Sequence, residues 1–403
     1  MIEQRTIPID RRGFLRGALA TSALLMATRS VQSSPFVFPV TTDRNFAPVK
    51  VTRDRIIRET VGLRPYRSLG FVVSGERLGE KLLVHNYGHG GAGVTLSWGT
   101  ASLALDLTRD FIQTNPAPKG SRKARRTLKD NPRRFAVLGC GVSGLSTARL
   151  LQRHFQNGPG PVPVVTIYAK DLPPETTSNL SGAFWYPSSA FDPQQATTQF
   201  AEQYRRACQI SNRAFQTLVG PEYGVHWIET FELIRNEETL SRELLGGADL
   251  YPQTEIHRDP DRYFDFPFTR QFNTMMIEPN IYLNAVLRDF YIAGGKVVTQ
   301  EFRSRDELAQ LPESIIFNCT GLGARALFGD NELIPVRGQL EVLLPQPEVD
   351  YCYLSGGGYM FPRHDGIILG GTWDHDNWSL VPDPEQTKAI LAGHAAIMKG
   401  LKH

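Results

Sequence analysis

The spacing of apolar residues changes along the chain and marks out its elements. Phe135-Ala136-Val137-Leu138 is an unbroken apolar run, the pattern of a strand buried on both faces of a parallel sheet. From Ser143 to Phe155 the spacing becomes helical, with Leu145, Ala148, Leu151 and Phe155 on one side. Val162 to Tyr168 supplies a second strand, and Ser314 to Gly321 a third β-rich run ending in glycine. Two further helices are expected at Gln194 to Val219 and at Pro279 to Ala293, the latter with Pro at its start and Gly294-Gly295 after its end. Pro384 to Leu401 carries Ile390, His394, Ile397 and Leu401 at helical spacing. Strand-like runs recur at Trp227 to Ile234, Thr274 to Ile277, Gly338 to Leu344, Gly358 to Pro362 and Gly366 to Gly370. The expected fold is α/β, with a parallel sheet in one part and an α+β part with a mixed sheet in the other.

The first residues follow a different logic. Asp10-Arg11-Arg12-Gly13-Phe14-Leu15-Arg16 resembles a bacterial twin-arginine export signal and precedes an apolar run from Gly17 to Ala27. A run of that length falls well short of the ~20 residues that cross a bilayer. Residues 1–34 are therefore expected to be a removable signal, with the twin-arginine export machinery as partner. The mature protein is expected to be periplasmic or secreted, with no stable membrane anchor after cleavage. A formal charge of +3 over 403 residues gives no argument for nucleic acid. The basic run from Arg122 to Lys129, beside Asn115-Pro116-Ala117-Pro118, reads as a solvated linker. Cys140, Cys208, Cys319 and Cys352 are scattered, without a Cys-x-x-Cys pair, and read as buried free thiols. His85 and His89 have flanking glycines and no evident third ligand, so no metal is expected.

Between the first strand and its helix lies Gly139-Cys140-Gly141-Val142-Ser143-Gly144. Gly139 permits the tight turn, Gly141 lets the backbone approach a pyrophosphate, and Gly144 lets helix and strand pack closely. Val142 and Ser143 open the helix, whose N-terminus offers free N–H groups and a positive dipole end. This is a dinucleotide-binding, Rossmann-type arrangement. The acid expected at the end of the second strand is displaced: Lys170 stands in its place and Asp171 follows one step late.

Several segments together resemble the D-amino-acid oxidase family. Val61-Gly62-Leu63-Arg64-Pro65-Tyr66-Arg67 is similar to the family's Gly-Phe-Arg-Pro element. His85 to Trp98 (HNYGHGGAGVTLSW) resembles its Gly-rich flavin-contacting segment. Thr176-Thr177-Ser178, followed by Gly182-Ala183-Phe184-Trp185-Tyr186-Pro187, resembles its Thr-rich turn, and Thr320-Gly321 its last Rossmann strand end. The resemblance implies FAD as cofactor, a D-amino acid as substrate and oxygen as acceptor. It implies hydride transfer from the substrate Cα to flavin N5, then hydrolysis to a 2-oxo acid and ammonia, with hydrogen peroxide formed on reoxidation. It assigns Arg64 and Tyr359 to the substrate carboxylate and the Gly91 carbonyl to the substrate amine. Gly90, Gly93, Val94, Thr95, Thr176, Thr177, Ser178, Gly182, Thr320 and Gly321 would line the cofactor. Two departures are visible: Ser355 replaces a second family tyrosine, and Tyr186 replaces a glutamine.

The order of these pieces departs from the family as well. The flavin-contacting segment belongs near the family's C-terminus and the fingerprint at its N-terminus; here the segment comes first. The resemblance therefore implies a circularly permuted member. Residues 48–107 would be the family's C-terminal segment, 108–134 a linker, and 135–195 the FAD-binding segment. Residues 196–278 and 336–403 would form the substrate domain, with 279–335 returning to the FAD domain. Alternative readings are a related amine-oxidising flavoenzyme acting on D-aspartate, glycine or N-methyl amino acids, a dehydrogenase with another acceptor, and a non-catalytic flavin- or amino-acid-binding protein. An NAD-dependent dehydrogenase is opposed by the His85 to Trp98 segment.

Overall fold

The structure is a computed structural model and describes residues 45–114, 134–156, 163–260 and 262–402. The twin-arginine segment and the basic run lie outside the described residues. In chain order the strands begin with β1 (Ile56–Tyr66), β2 (Val72–Leu78), β3 (Lys81–Tyr87), β4 (Arg134–Leu138), β5 (Val164–Ala169), β6 (Val225–Ile234), β7 (Glu255–His257) and β8 (Phe268–Ile277). They continue with β9 (Lys296–Thr299), β10 (Ile315–Asn318), β11 (Ile334–Leu343), β12 (Tyr351–Ser355), β13 (Gly358–Arg363), β14 (Gly366–Gly370) and β15 (Asp374–His375). The longer helices are α1 (Gly93–Thr114), α2 (Val142–Gln156), α3 (Thr198–Gln216), α4 (Pro279–Ile292) and α5 (Pro384–Lys399).

One sheet runs β2-β3-β10-β4-β5-β9. From β3 to β9 its neighbours are parallel, and β2 closes one edge antiparallel to β3. Parallel strands covered on both faces need largely apolar sequences, and the inner strands β3, β10, β4 and β5 have them, whereas the edge strand β9 is mostly exposed. Leu82, Val84, Val137, Ile167 and Phe317 share a core with Leu96, Leu103, Leu145 and Leu283 of the helices. Leu83, Ala136, Leu138 and Ile316 meet Leu308, Leu311 and Leu327 on the other side. The fingerprint strand β4 has β10 and β5 as neighbours, and β3 lies beyond β10.

The second sheet runs β1-β11-β14-β13-β12-β6-β8-β7, with β15 paired to β11. Its pairs are antiparallel except β12 with β6. Alternate residues face opposite ways. Ile228, Leu340, Cys352, Phe361 and Ile368 join the large core between the sheets. Phe231, Leu233, Tyr351, Tyr353, Met360 and Leu369 pack with Ile390 of α5 and with Phe46 and Val49. All four cysteines are buried and free, and burial pushes the thiols of Cys140, Cys208 and Cys319 up to about 12.

Several expected boundaries move, among them the helix expected from Gln194, which begins at Thr198, and the strand expected from Gly338, which begins at Ile334. Two further corrections have a clear physical reason. Residues 108–114, expected as linker, continue α1, because no helix breaker intervenes before Pro116 and Leu103, Leu105 and Thr108 hold the helix against the core. The strand expected at Thr274 begins at Phe268; Arg270, Gln271 and Asn273 break the apolar pattern of its first half.

Candidate active site

A cavity of about 960 Å³ is lined by residues of both sheets. At one end is the fingerprint turn. Gly139 takes φ +102°, and its N–H donates to the Tyr168 carbonyl at 2.8 Å. An added Cβ there would lie 2.5 Å from the Cys319 carbonyl oxygen, and one on Gly144 would lie 2.0 Å from the Gly139 carbonyl oxygen. Glycine is thus required at both positions, by conformation at the first and by close approach at the second. Gly139, Gly141, Val142 and Ser143 line the cavity, whereas Gly144 packs helix on strand. Ser178 accepts a hydrogen bond from the Val142 N–H at 3.0 Å, tying the Thr-rich turn to the start of α2. Thr176, Thr177, Ser178 and Gly182 line the same space, as do Thr320 and Gly321 from the end of β10.

The segment from β3 into α1 forms a second wall, where Gly90, Gly91, Gly93, Val94 and Thr95 meet the cavity. It is fastened from several sides. The Gly91 N–H donates to the Ser189 carbonyl at 3.0 Å, and the Thr95 hydroxyl donates to the Phe184 carbonyl at 3.3 Å. Asn86 donates to Thr147 Oγ1 on α2 at 3.1 Å. His89 is fully enclosed, and burial pulls its pKa down to about 4. Its Nε2 lies 3.2 Å from Asn86 Oδ1, a pure acceptor, so Nε2 carries the proton and Nδ1 faces the Ser143 hydroxyl at 3.4 Å. His85 is likewise engaged, accepting from Asn318 at 3.0 Å through Nδ1 and facing Glu76 at 3.2 Å through Nε2. Both histidines bind protein groups and hold this segment to its neighbours.

Arg64 and Tyr359 come from the second sheet. Tyr359 pairs with Gly370, Gly370 with Leu340, and Leu340 with Thr60. Arg64 lies four residues beyond Thr60, so both side chains leave the same face, and both line the cavity. Each lies across a glycine. A Cβ on Gly338 would sit 2.2–2.4 Å from the Arg64 guanidinium, and one on Gly370 would sit 2.3–2.6 Å from the Tyr359 ring and hydroxyl. Arg64 Nη1 donates to the Thr372 carbonyl at 3.2 Å, and its Cζ lies 5.1 Å from the Trp373 ring centroid. That leaves guanidinium N–H groups to offer a ligand.

At the far end Asp171 lines the cavity, 3.8 Å from Lys170; Glu301 lies the same distance from that lysine and lines the cavity too. Sequence reasoning missed Glu301, because its position depends on β9 pairing with β5. It also missed Gly338, Gly370 and Trp373, whose roles come from strand register. Glu232 was missed as well: its strand was expected, but nothing in the run marked one polar position as facing the cavity.

This arrangement is that of a dinucleotide-binding protein in which an arginine and a tyrosine of a second sheet line the same cavity as the fingerprint turn. Residues 134–403 match the sequence profile of the FAD dependent oxidoreductase family (DAO), and the chain belongs to that family. It is 28% identical over 277 residues to a D-amino acid oxidase of Dugesia ryukyuensis, covering 66% of this chain and 78% of that protein. It is 28% identical over 274 residues to the human D-aspartate oxidase, covering 66% and 76%. A D-amino-acid oxidase of Rubrobacter xylanophilus is 31% identical over 280 residues, covering 67% and 78%. The protein is therefore an enzyme, and FAD is its cofactor. The residues present fit that group: the Gly139 turn and the start of α2 suit a pyrophosphate, and the glycines of the β3–α1 segment leave one wall free of bulky side chains.

Proposed function

We propose that the enzyme oxidises a D-amino acid to a 2-oxo acid and ammonia, passing electrons to oxygen to give hydrogen peroxide. The observation that carries this reading is Arg64 and Tyr359 on one sheet face, opening into the cavity that the Gly139 turn also lines. Bound FAD supplies the acceptor for the substrate Cα hydride. The chain does the positioning. Arg64 holds the substrate carboxylate through its planar fork, and Tyr359 donates a hydrogen bond to the same group. The Gly91 carbonyl accepts from the substrate amine. Val142, Ser143, Thr176, Thr177, Ser178, Gly182, Thr320 and Gly321 hold the cofactor, with Asp171 at its ribose end. The N-terminus of α1, at Gly93, Val94 and Thr95, favours negative charge developing beside it. His89, neutral and locked, orders that wall without taking up a proton.

We also infer that the chain is circularly permuted, residues 48–107 being the family's C-terminal segment. The family profile begins at residue 134, after Arg64 and the Gly-rich segment. The parallel pairing of β3 with β10, and the bonds from Asn86 and His89 to α2, support a single site built from both parts. The twin-arginine pattern supports export in folded form, with FAD loaded in the cytoplasm and a periplasmic or secreted location.

The test is a visible spectrum of the purified protein, recorded with D- and L-amino acids and with and without oxygen. Bleaching by D- but not L-isomers, with peroxide formed in air, is the expected result. Yellow protein that no D-amino acid bleaches would refute the assignment. Arg64→Ala should retain flavin and lose carboxylate-substrate binding at least a hundredfold.

A further inference from the structure

The cavity wall beyond Tyr359 carries a charged group that the chemistry above does not use. Tyr359 pairs with Leu354 on β12, Leu354 with Glu232 on β6, and Glu232 with Arg270 on β8. Tyr359, Leu354 and Glu232 stand in one row on one face and all line the cavity. Arg270 does not line it. Its guanidinium is buried and donates to the carbonyls of Leu240 at 2.6 Å, Arg242 at 3.0 Å and Thr239 at 3.4 Å. Its Nη1 also lies 3.2 Å from Glu232 Oε2. Arg270 is thus spent on protein groups, while Glu232 keeps 19% side-chain exposure at the cavity wall. Burial raises the Glu232 pKa and Arg270 opposes that rise; Tyr186, also on the wall, has its own pKa raised by burial and next by Glu232. An incoming cation would meet a carboxylate with one ion-pair partner behind it and a phenol beside it.

We infer that Glu232 receives the positively charged end of the substrate side chain, so that the preferred substrates are D-amino acids bearing a terminal ammonium or guanidinium. This rests on the reading of Arg64 and Tyr359 as the carboxylate clamp. Tyr359 and Glu232 are two strand spacings apart, about 10 Å between backbones. Once the inward reach of both side chains is allowed for, a four-carbon stem ending in an ammonium bridges that gap, with Leu354 as an apolar floor. An acidic side chain would meet like charge at Glu232 and find Arg270 withdrawn behind it.

Two measurements on the FAD-loaded protein keep this inference apart from the reading it rests on. Turnover of a panel of D-amino acids with small, acidic, apolar and cationic side chains, D-norleucine, D-lysine and D-arginine among them, tests the reaction; if none of the panel reduces the flavin, the oxidase reading fails. Binding of ε-aminocaproate against caproate, read from the flavin spectrum, tests Glu232 whether or not turnover occurs. The aminated acid should bind at least tenfold more tightly, and Glu232→Gln should erase that ratio. Equal binding of the two acids, no binding of either, or a ratio that survives in Glu232→Gln would overturn the inference. In turnover, D-lysine should exceed D-norleucine in kcat/KM at least tenfold, and E232Q should collapse that preference.

Discussion

Replacing Gly338 by alanine tests the clamp without touching Arg64 itself. Gly338 lacks a positive φ, so alanine brings no backbone penalty and the effect is purely steric. Its Cβ would lie 2.2 Å from Arg64 Nη1 and 2.4 Å from both Cζ and Nη2. Ordinary contact is ~3.5 Å, so the guanidinium must retreat by about 1.2 Å. That retreat comes at the expense of the 3.2 Å bond to the Thr372 carbonyl or the contact with Trp373. A misplacement of ~1 Å costs roughly a hundredfold in rate, or about 2.7 kcal/mol. The assay is steady-state kinetics with the best D-amino acid, beside flavin content from the visible spectrum. Gly338→Ala should keep its flavin and lose about two orders of magnitude in kcat/KM. Full flavin with unchanged kinetics would show that the guanidinium position does not govern substrate binding, and the clamp would have to be assigned elsewhere.

Gly144→Ala should give protein without flavin, or unstable protein, because its Cβ would lie 2.0 Å from a backbone carbonyl that cannot yield; flavin content and Tm check this. Asp171→Asn combined with Glu301→Gln should weaken FAD retention more than tenfold and more than either change alone, measured by dilution into flavin-free buffer. Stability should also fall with acid. His89 and His394 are buried with pKa values near 4, below the ordinary value of 6.5, so only the unfolded chain takes up these protons as pH drops from 6.5 towards 4. Each group then removes up to ~1.4 kcal/mol per pH unit across that window, and contributes no pH dependence above it. Urea midpoints at pH 7 and pH 5 that coincide would contradict the enclosure of both rings.

The fingerprint was legible because its parts are local: an apolar strand, three glycines at fixed spacing and a helix that follows at once. The second sheet was legible where short apolar runs stood between glycines and polar residues, as at Gly358–Arg363 and Gly366–Gly370. It failed in β8, where Arg270 faces inward to serve carbonyls and a carboxylate, and a polar inward residue erases the period-two signal. Arg64 and Tyr359 could be picked out only through resemblance, since an arginine beside a proline carries little information alone. The glycines beneath them became meaningful through register: Gly338 and Gly370 matter because of what crosses them from neighbouring strands. Glu301 and Glu232 are the same case with charge in place of absence. Their neighbours in space are far off in sequence, and no local period records that.

The four sealed cysteines have a practical corollary. A thiol alkylates as thiolate, and sites that are both inaccessible and hard to ionise react when the structure around them opens. Cys140 lies in the fingerprint turn and Cys319 beside it, both on the cavity wall, while Cys208 sits on α3 and Cys352 on β12. Labelling rates at these positions, compared with and without excess flavin, would therefore act as built-in clocks: slowing at the first pair alone would mean that the bound cofactor covers the turn they line, and slowing at all four would mean that it holds the whole molecule closed.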